Sequence, residues 1–213
     1  MKKSWFFGFG CLGIVAVGVL LIALIVWGSY NSLVGRSQEV DKQWAQVQNV
    51  YQRRSDLIPN LVATVSGAAN FEKSTLTEIT EARASVGQVR VDPNQAPNDP
   101  AKLAEFQKSQ ERLSSALSRL LVVAERYPDL KATTSFRDLQ AQLEGTENRI
   151  TVERQKFNEA VQGYNTKVKS FPGLFFARMF GFTAKPYFAA KEGSDVPPKV
   201  EFNFGTPNPS PAK

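Results

Sequence analysis

The sequence contains no histidine and a single cysteine, Cys11. Without histidine there is no Ser-His-Asp triad, no imidazole base and no imidazole metal ligand. One cysteine allows neither an intrachain disulfide nor a cysteine-rich zinc site. Basic residues outnumber acidic ones by 26 to 20. Even so, no dense basic stripe interleaves with aromatics, so nucleic-acid binding is not expected. Carboxylate or lysine chemistry remains. Glu72, Glu78, Glu81, Glu144 and Glu147 are the candidates. On helices such residues are normally solvated surface, and di-iron bundles also use histidines. No catalytic, cofactor or metal site is expected.

Charge is also absent from Trp5 to Gly28. About 20 apolar residues cross the hydrocarbon layer, and this stretch is that long. Trp5, Phe6 and Phe7 mark one edge; Trp27 and Tyr30 mark the other. Amphipathic rings favour the headgroup level. A cleaved signal peptide would have a shorter core and a small-residue cleavage site. A lipoprotein signal would place the apolar run before the cysteine, whereas here it follows Cys11, which reads as a small apolar side chain. Lys2 and Lys3 precede the span; Arg36 and Lys42 follow it, diluted by Glu39 and Asp41. Counting basic residues leans towards a cytoplasmic N-terminus, with the bundle then outside the cytoplasm.

Beyond the span, four segments carry the apolar period of packed helices. The first has Leu33, Val40 and Val47 at sevens, with Trp44 and Tyr51 between; the second runs from Ile58 to Val86. The third holds Leu103, Phe106, Leu113, Leu117, Leu120 and Val123. The fourth places Phe136, Leu143, Ile150, Phe157 and Tyr164 seven apart. Residues 90–100 carry three prolines and no period, which predicts a loop. Pro128 ends the third helix, and Asp129 is the candidate cap of the fourth.

The expectation is an all-α antiparallel bundle, coiled-coil-like in its packing. At Asp56 two readings stand. Asp56 can cap a new helix with Pro59 in its first turn, giving four helices. Alternatively, one long helix is kinked at Pro59, giving three. An offset of 73 aligns Leu33, Val40, Trp44, Val47 and Val50 with Phe106, Leu113, Leu117, Leu120 and Val123. It also aligns Arg53, Asp56 and Leu57 with Arg126, Asp129 and Leu130. That match favours two duplicated hairpins, each reversing at an Arg-x-x-Asp-Leu turn. The divisions expected are a basic flank at 1–4, a membrane helix at 5–28, a bundle at 30–170, an aromatic membrane-proximal segment at 171–190 and a proline-rich tail at 191–213.

Several motifs carry a resemblance. Tyr30-Asn31-Ser32-Leu33-Val34 follows the span. Then come Arg53-Arg54-Ser55-Asp56-Leu57-Ile58-Pro59-Asn60-Leu61-Val62, Glu81-Ala82-Arg83, Phe171-Pro172, Phe180-Gly181-Phe182 and Tyr187-Phe188. In this order, over nearly the whole chain, they resemble the LemA family of bacterial membrane proteins. Phe71 departs from it, standing where histidine is as common, which argues against a family-wide metal role. The resemblance implies a single-pass inner-membrane protein with a helical-bundle domain, acting as a scaffold without a defined reaction. It also implies partner candidates: a TPM-domain protein or an HtpX-like membrane protease.

Two sites follow from the four-helix reading. Both turns would meet at the far tip, gathering Arg53, Arg54, Asp56, Asn60, Arg126 and Asp129 as a docking surface for a partner protein; capping alone is the simpler account. The fourth helix would return the aromatic segment to the bilayer. There Phe171, Phe175, Phe176, Arg178, Phe180 and Phe182 join Trp27 and Tyr30 as a membrane interface, with a helix closing the base of the bundle as the alternative. The functional expectation is a self-associating, membrane-anchored scaffold or adaptor. A lipid-binding or membrane-remodelling oligomer is the second reading.

Overall fold

One heptad seam on the first helix fixes the architecture. Leu33, Val40, Val47, Arg54 and Leu61 recur at sevens, and Trp44, Tyr51, Ile58 and Val65 form the second row. All nine are buried. Neither row breaks phase at Asp56 or Pro59, and the helix does not break either.

The computed structural model describes residues 3–68 and 71–190, with side chains from Gly13 onward. The chain forms α1 (Lys3–Ser66), α2 (Lys73–Gln88), α3 (Pro100–Ala124), α4 (Pro128–Ala132), α5 (Thr134–Lys169) and α6 (Gly173–Phe180). No strand occurs among the described residues. The belt side chains Trp5, Phe6 and Phe7, Cys11, the flanking Lys2 and the tail lie outside the side chains described.

α1 is a single helix of 64 residues with Pro59 inside it. The apolar stretch therefore flows straight into the bundle. From Gly28 to Ser66 the helix spans about 57 Å at ~1.5 Å per residue. The expected reversal at Asp56 is not formed; the chain turns ten residues later, after Ser66. The reason lies in burial. A proline inside a helix costs about 3 kcal/mol. Burying a large aliphatic side chain returns roughly 1.5–3 kcal/mol, and Ile58, Leu61 and Val65 are all buried beyond or beside it. The turn-to-turn match at offset 73 therefore fails: Arg53 is mid-helix, whereas Arg126 follows the end of α3.

α5 packs antiparallel along α1, and α2 packs on α3. The loop 89–99 crosses the flank of α1, where Trp44 Nε1 donates to the Asp92 carbonyl at 2.7 Å. Asp99 caps α3 by accepting from Ala101 N at 2.9 Å, with Pro100 beginning the helix. The cap of α5 is Thr133, whose Oγ1 accepts from Phe136 N at 3.3 Å. Asp129, expected in that role, lies instead in the first turn of the short α4.

The core has two apolar compartments. The membrane-proximal one centres on Trp44, Phe106, Phe157 and Phe188. The far one is built on Ile58, Leu61, Ile79, Leu113, Leu120 and Phe136. On the α1 seam, Arg54 stands between them.

Candidate functional site

Three regions hold the polar and aromatic residues of interest: the far end, the mid-bundle layer and the membrane-proximal end.

At the far end, Arg126 Nη2 pairs with Glu72 Oε1 at 2.8 Å, Lys131 pairs with Glu125, and Phe71 packs on Tyr127 with ring centroids 5.0 Å apart. Thr64, Gly67, Ala68, Arg126, Pro128 and Asp129 help to line a groove of about 590 Å³. Arg126 and Asp129 thus sit where a partner can reach them. The other four residues of the expected tip do not join them. Asn60 is 6 residues below Ser66 and Arg53 is 13 below, about 9 and 20 Å along the helix. Arg53 is exposed on the flank beside Gln142 and Arg149. Asp56 is exposed and accepts from Gln52 Nε2 at 2.7 Å. Only a reversal at Asp56 would bring them to the tip, and α1 runs through it.

Arg54 is the largest departure. It is 1% exposed. One terminal nitrogen donates to Ser114 Oγ and Glu147 Oε1, both at 2.6 Å. The other donates to the Gln110 carbonyl at 3.3 Å and to the Gln110 side chain. Its charge centre lies 5.1 Å from the Tyr51 ring centroid. Nε has no partner. The hydrogen-bond partners come from α3 and α5, so this α1 side chain ties three helices at one level. Two tyrosines are desolvated, Tyr51 beside Arg54 and Tyr164 nearer the base of the bundle. Burial pushes the Tyr51 phenol above its ordinary pKa despite the Arg154 and Arg54 charges nearby. Burial likewise raises that of Tyr164, with Asp41 adding to the effect.

At the membrane-proximal end, α6 packs on α1 and α5. It buries Gly173, Phe176 and Ala177. Phe176, expected at the membrane, is therefore part of the base of the bundle. Phe171 is 90% exposed and Phe175 65%; Arg178 is also exposed. Tyr30 meets Phe180 edge-on at 5.0 Å and Phe182 at 6.0 Å, while Trp27 stays exposed. The two halves of the expected interface, α1 and the aromatic segment, are thus brought together.

After Gly181 the chain becomes an extended strap that climbs back along α5. Gly181 makes this turn with φ 76°, a left-handed conformation that glycine adopts freely. Tyr164 OH donates to the Thr183 carbonyl at 2.9 Å. Asn165 brackets the Lys185 backbone with two bonds of 2.8 Å. Asn158 brackets Phe188, and Gln107 of α3 brackets Ala189. The spacing has a geometric basis: seven helical residues rise about 10.5 Å, close to the reach of three extended ones. Lys185, 6% exposed, pairs with Asp41 at 2.8 Å, and Asp41 also accepts from Ala96 N at 3.0 Å. Phe188 stacks on Trp44, with centroids 6.1 Å apart, and meets Phe157 edge-on at 5.3 Å. Sequence reasoning missed this strap. Its signal was an asparagine directly after each of two core aromatics, Phe157-Asn158 and Tyr164-Asn165.

Among the described residues no three Asp, Glu, Cys or His side chains gather as a metal site. The bonds are structural: they tie helix to helix and strap to bundle.

One apolar helix, long enough to cross a membrane, continuous with a strapped bundle, defines a membrane-associated helical protein. Residues 43–202 match the LemA family, and the chain belongs to it. Among curated relatives, it is 23% identical over 201 residues to "Magnetosome protein MamQ 2" of Paramagnetospirillum magneticum, covering 87% of this chain and 73% of that one. It is 25% identical to "Magnetosome protein MamQ" of Magnetospirillum gryphiswaldense, covering 86% and 74%. "Protein LemA" of Metamycoplasma hominis is 26% identical over 158 residues, covering 74% and 67%.

Proposed function

We propose that this chain is a non-catalytic scaffold of the bacterial inner membrane that holds a docking end at a set height above the bilayer and self-associates. The carrying observation is α1, one helix from the apolar stretch to the far end of the bundle. A short tether would let the bundle tumble; a continuous helix gives it a direction. The buried polar residues support a structural role. Arg54 and Lys185 each make bonds that lock elements together.

The docking surface centres on Arg126 and Asp129, beside the groove they share. Arg53, Asp56 and Asn60 extend it down the flank of α1. The partner is a membrane protein whose exposed face approaches at that height. Crosslinking in native membranes followed by affinity purification tests the reading. Recovery of a discrete partner, reduced by Arg126→Glu together with Asp129→Lys, is expected. Recovery unchanged by both substitutions removes the docking end from the proposal, and a purely monomeric crosslinking pattern removes self-association.

Charge is the ground for proposing a side of the membrane. Lys2 and Lys3 nearly balance Arg36 and Lys42 around the span, so that count decides little. The folded surface adds Lys169 and Arg178 at the bundle's base, and each basic group near an anionic leaflet is worth about 1 kcal/mol. This favours the bundle on the cytoplasmic side, the reverse of the lean in the sequence. Protease accessibility of the bundle in inside-out and right-side-out vesicles distinguishes the two: cleavage confined to inside-out vesicles supports the placement, and cleavage confined to right-side-out vesicles reverses it.

A further inference from the structure

α6 is apolar on two faces, and only one is covered. Gly173, Phe176 and Ala177 face the bundle. Phe171, Leu174, Phe175 and Met179 are 90%, 38%, 65% and 54% exposed. A soluble surface rarely gathers so many large apolar side chains within nine residues. Their location is specific. Phe180 and Tyr30 are in contact, and with Ala23, Val26 and Trp27 they line an apolar groove that joins α6 to the end of the apolar stretch of α1.

Charge singles out the same place. No carboxylate occurs before Glu39, and none between Glu159 and Glu192. The fold brings these two acid-free stretches together. Arg36 lies over α5, its guanidinium nitrogen close to Gly163. Lys167 and Lys169 end α5, and Arg178 is on α6. An apolar ridge with basic residues beside it and no acidic ones suits anionic lipid.

We infer that α6 is a second foot on the membrane. It places Phe171, Leu174, Phe175 and Met179 at the headgroup–acyl boundary of the bilayer that α1 crosses, with Arg178 and Lys169 on lipid phosphates. The long basic side chains reach the phosphate level while their stems stay among the rings. A second copy of the chain fits this face less well. A two-fold interface is self-complementary, so it would set Arg178 and Lys169 near their own copies with no carboxylate between them. The strap keeps the foot in place: Phe182 N donates to the Ala177 carbonyl at 2.8 Å, and the bonds to Asn165 and Asn158 follow directly.

This rests on the membrane-anchored reading, and the test separates the two. The full chain, carrying Cys11→Ser and one spin-labelled cysteine, is reconstituted into phosphatidylcholine vesicles with and without phosphatidylglycerol. The labelled positions are Leu20→Cys in the span, Phe175→Cys on the foot and Val122→Cys, 70% exposed near the far end. Relaxation by oxygen, which concentrates in lipid, is compared with relaxation by a water-soluble nickel chelate. Residues 20 and 175 are expected to favour oxygen and residue 122 nickel. Phosphatidylglycerol is expected to deepen residue 175, and Arg178→Glu with Lys169→Glu is expected to abolish that response. Residue 175 behaving like 122, while 20 stays in lipid, overturns the foot and leaves the anchor. Residue 20 in water overturns the anchor itself. Residue 175 shielded from both reagents, with label–label coupling, assigns the face to a second copy and overturns the lipid assignment. A foot indifferent to phosphatidylglycerol overturns the role given to the basic residues.

Discussion

Asn158 reads the backbone of Phe188 from both sides: its Nδ2 donates to the Phe188 carbonyl at 3.1 Å, and its Oδ1 accepts from the Phe188 N–H at 2.9 Å. The bracket seats the Phe188 ring against Trp44 and Phe157 without relying on the ring itself. Asn165 repeats it one heptad later on Lys185.

Breaking these brackets should loosen the strap before it unfolds the bundle. Asn158→Ala and Asn165→Ala each leave two backbone groups without partners, a cost of about 1–3 kcal/mol per buried group. Limited proteolysis of either variant should cleave within residues 182–190 faster than in the parent. Asn148→Ala, at an exposed position of the same helix, should not change the rate. Equal rates in all three would show that the remaining contacts, Phe188 in its aromatic pocket and Lys185 on Asp41 among them, hold the strap without the brackets.

Arg54 gives the largest single-site effect expected. Arg54→Ala removes the guanidinium and leaves Gln110 and one side of Glu147 unpaired, costing about 3–5 kcal/mol. Glu147→Gln should cost less, because Glu147 is 41% exposed and water can replace part of its bonding. Arg54→Met should be milder than Arg54→Ala, since its stem refills part of the space. Denaturant midpoints of the purified protein in detergent check the order of the three.

Pro59 interrupts one backbone hydrogen bond of α1, and its ring crowds the preceding turn. It is exposed, so no core packing depends on the ring. Pro59→Ala should stabilise the far half of the bundle by about 1–3 kcal/mol, seen as a raised thermal midpoint. A lowered midpoint would mean that the helix path requires the proline.

The two buried tyrosines set an alkaline limit. Tyr51 and Tyr164 both have pKa values raised above 10.0 by burial. The folded state therefore holds their protons longer than the unfolded chain does. This contribution is complete below about pH 10, the unfolded value, and is lost as the pH rises towards the folded values. Stability should fall above pH 10. Tyr51→Phe should lessen that fall while leaving neutral-pH stability less affected. Absorbance titration of tyrosinate against unfolding by circular dichroism tests whether the two coincide.

Much of the bundle is legible in its sevens. Leu33, Val40 and Val47, and the series from Phe136 to Tyr164, are buried as their spacing requires. The 90–100 loop and the continuity of the span with the first helix are legible for similar local reasons. The turn at Asp56 misleads because Ser-Asp-Leu-Ile-Pro satisfies capping rules locally, while burial of Ile58, Leu61 and Val65 is decided by distant partners. Arg54 could have been found. It falls seven after Val47 and seven before Leu61, a core position that charge makes easy to dismiss. Gln110 occupies the matching row of α3, between Leu103 and Leu117. The far-end residues Arg126 and Asp129 were legible only in part, since their surroundings depend on where α1 ends. The strap lacks periodicity of its own; its register is dictated by asparagines on another element.

An unjointed α1 acts as a lever with its fulcrum in the bilayer. With about 57 Å of helix above the span, a 10° change in tilt sweeps the outer end through about 10 Å. Bilayer thickness or a neighbouring helix that alters the tilt would thus move that end by a distance comparable to a helix diameter, with no change inside the bundle.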